Sequence, residues 1–475
     1  MNTMAASDEA LSRSGSQHGL LLFGLLSCSF ISTLDFFIVA VAIPSIRLQL
    51  NATESQLEWV VAGYGLAFAA MLVAAGRLGE HVGRLPVLRM GVIAFGLTSV
   101  ACGLAPSADV LVAARVLQGI SAAAMAPQVL AVINLVYKDT NRTWAFAWLG
   151  IALGLAATLG QLIGGALIES DIGHMGWRWC FLINPALIVA PLVLLHRAKV
   201  PDTPTGGGRL DVTGIILLAG FLTTLAIPLV EGRRLAWPHW LWTWHIAAAA
   251  FLALLAWQQT RAERNNLNPL FRPGLLQHRS FRQVMLAAFI FYAGNASLYF
   301  VIGIYLQAGR GLSPLMSGVV FGALTAGFFA GSLLAPKIVK RKGFIVVPAG
   351  AAVVFLAYLA QLAFGIWSAT YTAWLPLVIC FVLGGLGIGL LMTPLTSLAL
   401  ADVPAEYLGV AAGTFATTQW IGNSLGVALI CIPFFGTLDR GGDHAYQAAL
   451  NAAMEYLLAV TAIFFLLIRR VLRGK

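Results

Sequence analysis

Fourteen apolar runs dominate this chain, and each is long enough to cross a ~30 Å hydrocarbon core as a helix. In lipid a backbone must satisfy its own hydrogen bonds, so such runs can only fold as helices. The first six runs lie near 19–44, 57–78, 86–105, 109–137, 143–168 and 178–196. A middle pair follows at 212–231 and 240–260. The last six lie near 282–307, 314–337, 344–367, 373–400, 406–432 and 446–469. Composition agrees: 59% of the 475 residues are hydrophobic and 10% are charged, against about 25% charged in soluble domains. The N-terminal run is too long for a cleaved signal and is interrupted by Asp35, so it reads as a first spanning helix.

The net charge of +10 raises the question of nucleic acid. The placement of the basic residues answers it. With both termini on the cytoplasmic side, the inner segments hold 22 of the 29 Lys and Arg, the outer loops hold six, and Arg115 alone lies in a span. That bias orients a membrane protein, and no nucleic-acid partner is needed to explain it. The cysteines, Cys28, Cys102, Cys180, Cys380 and Cys431, all fall in apolar runs and read as small buried hydrophobes. Trp237, Trp240, Trp242 and Trp244, at the outer end of the middle pair, read as an interfacial belt.

The expected organisation is 6 + 2 + 6. Residues 1–200 form a six-helix bundle, 201–265 a linker with two extra helices, and 266–475 a second six-helix bundle. The linker Pro201–Arg209 is rich in Pro and Gly. Short basic loops follow the second and tenth spans at Gly76–Leu88 and Ala335–Ile345, at equivalent places in the two halves. Paired halves with a site at their interface are the plan of many secondary transporters.

Few polar groups lie inside the spans. Asp35 sits roughly 24 Å along the first helix from its cytoplasmic start, and Arg115 lies roughly 9 Å into the fourth from its outer start. The two share a depth. If the helices are neighbours, the residues can pair, the guanidinium favouring the carboxylate and burial disfavouring it. The plain alternatives are a snorkelling Asp35, and an Arg115 held by backbone carbonyls or Asp109. Glu455, roughly 21 Å from Arg469 on the last helix, is a second candidate acid, with a snorkelling role as the alternative.

The glycines 150, 154, 160, 164 and 165 of the fifth span form a groove for another helix, with Gln161 needing a partner. Residues that could line a central cavity are Trp59, Tyr64, Gln118, Met125, Gln128, Trp144 and Trp148 in the first half. The second half adds Tyr292, Asn295, Tyr299, Thr417, Gln419, Trp420 and Asn423. An aromatic, weakly charged cavity suits amphipathic or cationic organic molecules; core packing is the alternative for each residue. No phosphate-binding loop or metal-ligand spacing is found.

Together these segments resemble the major facilitator superfamily, and within it the fourteen-helix drug:proton antiporter branch (EmrB/QacA-type). Leu34, Asp35, Ala42 and Pro44 resemble that branch's signature in the first helix. Gly76–Leu88 resembles the superfamily's loop motif, which would make Gly76, Glu80, Gly83 and Arg84 a conformational latch. The motif usually has Asp at Glu80 and a basic residue at His81. Ala114–Gly119 resembles the fourth-helix motif, whose Arg is linked to proton coupling. Gly150–Gly165 resembles the antiporter motif, with Gly154, Gly160, Gln161, Gly164 and Gly165 as its seam; Gln161 stands where that motif usually has Pro. Trp177–Pro185 and Asn268–Phe281 also fit the branch. The outer loop Pro433–Asp443 is short beside that of some relatives.

The resemblance implies an all-α major facilitator fold with fourteen membrane helices and both termini cytoplasmic. It implies a multi-pass inner-membrane carrier, not an enzyme, that uses no cofactor and is driven by a proton gradient. Its partners would be protons, the bilayer and a small-molecule substrate; it is expected to act as a monomer. Asp35 and Arg115 would couple protons to efflux of amphipathic or cationic compounds. The alternatives are a dedicated exporter of one endogenous metabolite, an uptake symporter, and a non-transporting membrane receptor.

Overall fold

Local signals set where the helices begin and end. Thr53 and Gln56 form a capping box, with Gln56 accepting from the Thr53 amide at 2.9 Å and donating its own amide to the Thr53 hydroxyl at 3.3 Å. Ser107, Asp211 and Ser313 cap later helices more simply, each side chain accepting from the backbone amide three residues on. The computed structural model describes residues 2–198, 200, 210–265, 267, 269–367, 374–404, 407–442 and 444–473. Among these the chain is helical, with no strand.

The first six helices are α1 (Asn2–Leu50), α2 (Glu54–Val82), α3 (Arg84–Gly103), α4 (Ala108–Val136), α5 (Asp139–Ser170) and α6 (Trp179–Arg197). A pair, α7 (Val212–Glu231) and α8 (Trp242–Arg264), precedes the short α9 (Pro273–Gln277). The last six are α10 (Arg279–Ile304), α11 (Pro314–Lys342), α12 (Val346–Trp367), α13 (Trp374–Leu400), α14 (Leu408–Leu438) and α15 (Ala445–Arg473). Among the described residues, thirteen helical stretches are long and apolar enough to cross a membrane, one of which, Pro314–Phe364, takes in both α11 and α12. The protein is an all-helical, multi-pass membrane protein.

Several boundaries differ from the sequence expectation. The predicted loop Gly76–Leu88 is almost all helix: α2 and α3 meet at Gly83 alone, whose φ of 107° only glycine adopts without strain. The predicted outer loop from Pro433 is helical to Leu438, because α14 continues through the proline. The predicted break before the ninth span contains α9. The linker Pro201–Arg209 and Asn268 lie outside the described residues.

Helices α1–α6 pack on one another as a first bundle and α10–α15 as a second. Two seams join the bundles, α5 against α11 and α2 against α14, and α1 meets α10 between them. The α7–α8 pair packs through α7 on both α2 and α14. The end of the bundles away from the chain termini is called the distal end below. There Gln307 donates to the Val41 carbonyl at 2.9 Å, and the Leu315 amide donates to Glu169 at 3.2 Å.

Close approach is what the small residues permit. A Cβ on Gly119 of α4 would sit 2.2 Å from the Tyr64 carbonyl oxygen of α2, whereas one on Gly150 would meet nothing within 4 Å. Gly119→Ala should therefore destabilise the first bundle by about 1–3 kcal/mol, the usual range for overpacking, and Gly150→Ala should leave it unchanged. Thermal unfolding of the two detergent-purified variants checks this.

Candidate functional site: a buried ion pair beside an aromatic seam

Asp35 and Arg115 pair at 2.6 Å, and neither side chain is exposed at all. They come from α1 and α4, and three further helices, α2, α3 and α6, complete their surroundings. Asp35 Oδ2 accepts from Arg115 Nη1. Oδ1 accepts from Gln118 Nε2 at 3.0 Å and from Asn184 Nδ2 of α6 at 2.7 Å. Ser99 of α3 accepts from the same Asn184 and Gln118 nitrogens at 2.8 and 3.2 Å and donates to the Phe181 carbonyl at 2.9 Å. Arg115 also donates to the Val60 carbonyl at 3.1 Å and to Gln118 Oε1 at 2.6 Å. The carboxylate thus has three donors, which is what a charge removed from water requires.

The network is nearly, though not wholly, closed. Arg115 Nη2 and Asn184 Oδ1 are buried with no hydrogen-bond partner among the described residues. The guanidinium lies over Tyr64, 4.2 Å from the ring centroid, with Phe181 at 5.6 Å. Cation–π contact offsets part of the missing hydrogen bonding. Asp109, the other acid weighed as a partner for Arg115, is held instead by Gln56 at 2.7 Å.

Tyr64 links this pair to the seam between bundles. Its ring is 6.0 Å from Trp420 of α14, which also meets Phe68 at 4.1 Å and Phe36 at 5.1 Å. Next along α1, Phe37 meets Tyr299 of α10 at 5.1 Å, and Tyr299 stacks on Phe321 of α11 at 5.8 Å. Rings from both bundles therefore meet one layer away from the ion pair.

Other predicted residues divide between this site and elsewhere. Gln118, Tyr64, Tyr299 and Trp420 are brought together, and Asn423 is buried nearby on α14 with its Oδ1 unpartnered. Gln419 is half-buried on the same helix. Trp59 turns away to α7 and donates to Glu231 at 3.1 Å. Met125 is buried between α3 and α4 against Gly91, and Gln128 donates to the Ala75 carbonyl at 2.6 Å. Trp144 and Trp148 pack on each other and are exposed. Tyr292 lies inside the second bundle against Phe291 and Phe415. Asn295 lines a small cavity of that bundle with Tyr358 and Thr461. Glu455 is exposed on α15 and does not approach Asp35. The helical period explains the split, since neighbouring polar residues on one helix face different partners.

The α5 glycines face two helices. A Cβ at Gly160 would crowd Leu34 and Ile38 of α1, one at Gly164 Ile38 and Val41, and one at Gly154 or Gly165 Phe329 or Pro314 of α11 respectively. Gln161 donates to the Phe37 carbonyl at 2.7 Å. At the terminal end, Gly76 faces Pro127, while Gly83 makes the turn that leads into Arg84. Glu80 is an electrostatic neighbour of Arg77, which donates to the Pro269 carbonyl ahead of the second bundle.

Sequence reasoning missed Ser99 and did not single out Asn184, although a polar residue before Pro185 in an apolar run was a visible signal. It also passed over Glu58, buried at 2% exposure one turn into α2. Removing one partner of the ion pair strands a buried charge. Arg115→Met should destabilise the protein by about 3–5 kcal/mol, and Arg115→Met combined with Asp35→Leu by clearly less. Denaturant or thermal unfolding of the single and double variants measures the difference.

Two helix bundles joined along small-residue seams, with an intramembrane ion pair beside them, define a membrane carrier of the paired-bundle class. The Major Facilitator Superfamily model matches residues 25–427, and the chain belongs to that family. It is 34% identical over 451 residues to a probable actinorhodin transporter of Streptomyces coelicolor, covering 92% of this chain and 76% of that protein. It is 34% identical over 407 residues to a tetracenomycin C resistance and export protein of Streptomyces glaucescens, covering 84% and 72%. Among solved structures, a bacterial homologue of the human lysosomal transporter Spinster superposes with a TM-score of 0.68 at 17% identity, over 96% of this chain and 97% of that one.

Proposed function

We propose that this protein is a proton-coupled exporter of small amphipathic or cationic organic compounds, working by alternating access across the inner membrane. One observation carries the reading: the buried Asp35–Arg115 pair is separated by a single ring, Tyr64, from aromatic residues of both bundles. Proton and substrate need only favour different states of the seam to be coupled.

A proton on Asp35 removes the charge that holds Arg115 Nη1. The guanidinium then keeps the Val60 carbonyl, Gln118 and the Tyr64 face as its partners. Any shift of Arg115 moves Tyr64, and with it the packing of Phe36, Phe68 and Trp420. An aromatic or cationic substrate would bind on these rings, which accept flat apolar faces and cations alike. Fourteen spans, a 6 + 2 + 6 division at about residues 200 and 265, cytoplasmic termini and a monomeric state complete the proposal. The α5 glycines serve as the sliding seam, and the segment from Gly76 through Glu80, Gly83 and Arg84 as the latch at the terminal end. The chain acts as a carrier, not as an enzyme.

A second reading, export of one endogenous metabolite, is favoured by the two relatives above, each named for a single compound, while a multidrug resistance protein of Mycobacterium tuberculosis, 30% identical, favours the broad exporter. A substrate panel in cells lacking their major efflux systems separates a broad exporter from a dedicated one.

In proteoliposomes under an imposed pH gradient, Asp35→Asn should abolish substrate-driven proton flux; flux equal to that of the parent protein overturns the assignment. Trp420→Ala should raise the half-saturating substrate concentration about tenfold, in line with the loss of one aromatic contact of ~1.5 kcal/mol. Initial export rates over a substrate series measure it.

A further inference from the structure

We propose that Glu58 is a second proton-binding site, loaded when the distal end of the seam closes and emptied when it opens. The site builds on the alternating-access reading but uses none of the Asp35 cluster.

Glu58 lies on α2, one of the two helices that form the α2–α14 seam. It is 2% exposed, and its Oε2 has no hydrogen-bond partner among the described residues. The group facing it from α14 is the Cys431 thiol, a weak donor within hydrogen-bonding reach, and beside that thiol stands Tyr456 of α15. The group facing it from α7 is another acid, Glu231.

Basic groups at this end are engaged elsewhere. Arg233, just past α7, pairs with Glu54 of α2 and, at 2.6 Å, with Asp439 at the end of α14. Arg234 pairs with Glu231 at 2.8 Å, and Arg47 with Glu54 at 3.5 Å. On α4, Asp109 is taken by Gln56. Glu58 is thus a carboxyl group enclosed between two bundles, facing a neutral thiol and an acid.

A carboxylate in that position bears most of its desolvation cost, because the cation nearest to the Cys431 side of the site, Arg233, is already held between Glu54 and Asp439. The neutral acid does not, and it can donate a hydrogen bond as well. Parting α2 from α14 brings water to Glu58 and removes the cost of the charge. Closure therefore takes up a proton at the distal face and opening returns it. Acid on that face favours the closed state. The Arg233 bridge is a separate, charge-based fastening of the same seam, and the α7–α8 pair holds it in place.

The experiment follows the distal seam by electron paramagnetic resonance, with spin labels on Leu104→Cys and Arg440→Cys, both exposed at the distal end of opposite bundles. Using the full chain in an Asp35→Asn background removes the contribution of the first site. The open population should rise with pH, changing the open-to-closed ratio by up to about tenfold per pH unit, the slope of one proton. Glu58→Gln should flatten that response and hold the seam closed. Glu58→Asp, which keeps a carboxyl group, should retain the response with a shifted midpoint and shows that the seam still folds. An unchanged pH response in Glu58→Gln, or a flat one in Glu58→Asp, overturns the proposal. The proton-coupling reading stands or falls separately, on the flux measured for Asp35→Asn with Glu58 intact.

Discussion

A single charge pair inside the first bundle governs how its helices can be arranged. Neither Asp35 nor Arg115 has access to water, and an intramembrane charge is tolerated only when it is paired and hydrogen-bonded. That demand recruits Gln118 beside Arg115 on α4, Asn184 from α6, Ser99 from α3 and the Val60 carbonyl from α2. With α1 carrying the acid, five of the first six helices contribute an atom to one cluster. Their rotations about their own axes are fixed by that requirement as much as by apolar packing, which in a bilayer has no hydrophobic drive between helices.

The pair is also placed to be felt outside its bundle. Tyr64 lies against the guanidinium on one side and within ring contact of Trp420 on the other. The α5–α11 and α2–α14 seams are lined by glycines whose added Cβ atoms would strike the facing helix, as at Gly165 and Gly65. Such seams have close, low-friction contact and few directional bonds, a sound basis for two packings of similar energy. At the distal end directional bonds return, in the Arg233 bridge between Glu54 and Asp439. The helices α7 and α8 are therefore not spectators: α7 packs on both bundles at the place where they meet.

How much of this was readable from the residues varies by kind. Length and hydropathy located the helices, with ends off by a few residues where Pro433 stays helical and where Gly83 alone replaces a loop. The depth of Asp35 and Arg115 followed from the helical rise, so their meeting was legible. Met125, Trp148 and Asn295 were chosen by residue type, and type does not say which neighbour a helix face meets. Asn184 stood out as a polar residue before Pro185, but its role and that of Ser99 could not be read, because they depend on α3 and α6 flanking the same carboxylate.

The sequence alone determined that this is a helical membrane protein, because the cost of unsatisfied backbone groups in lipid leaves no other fold for such runs. It also determined that Asp35 needs either a partner or a route to the interface, because a lone charge at that depth is too expensive to keep. Only the tertiary structure decided that Asp35 is enclosed within one bundle, that Tyr64 connects it to the seam, and that Glu58 sits between the bundles facing a thiol and an acid. Those facts depend on the relative rotation of helices far apart in the chain, which is set by many weak packing contacts acting together and by no local residue pattern.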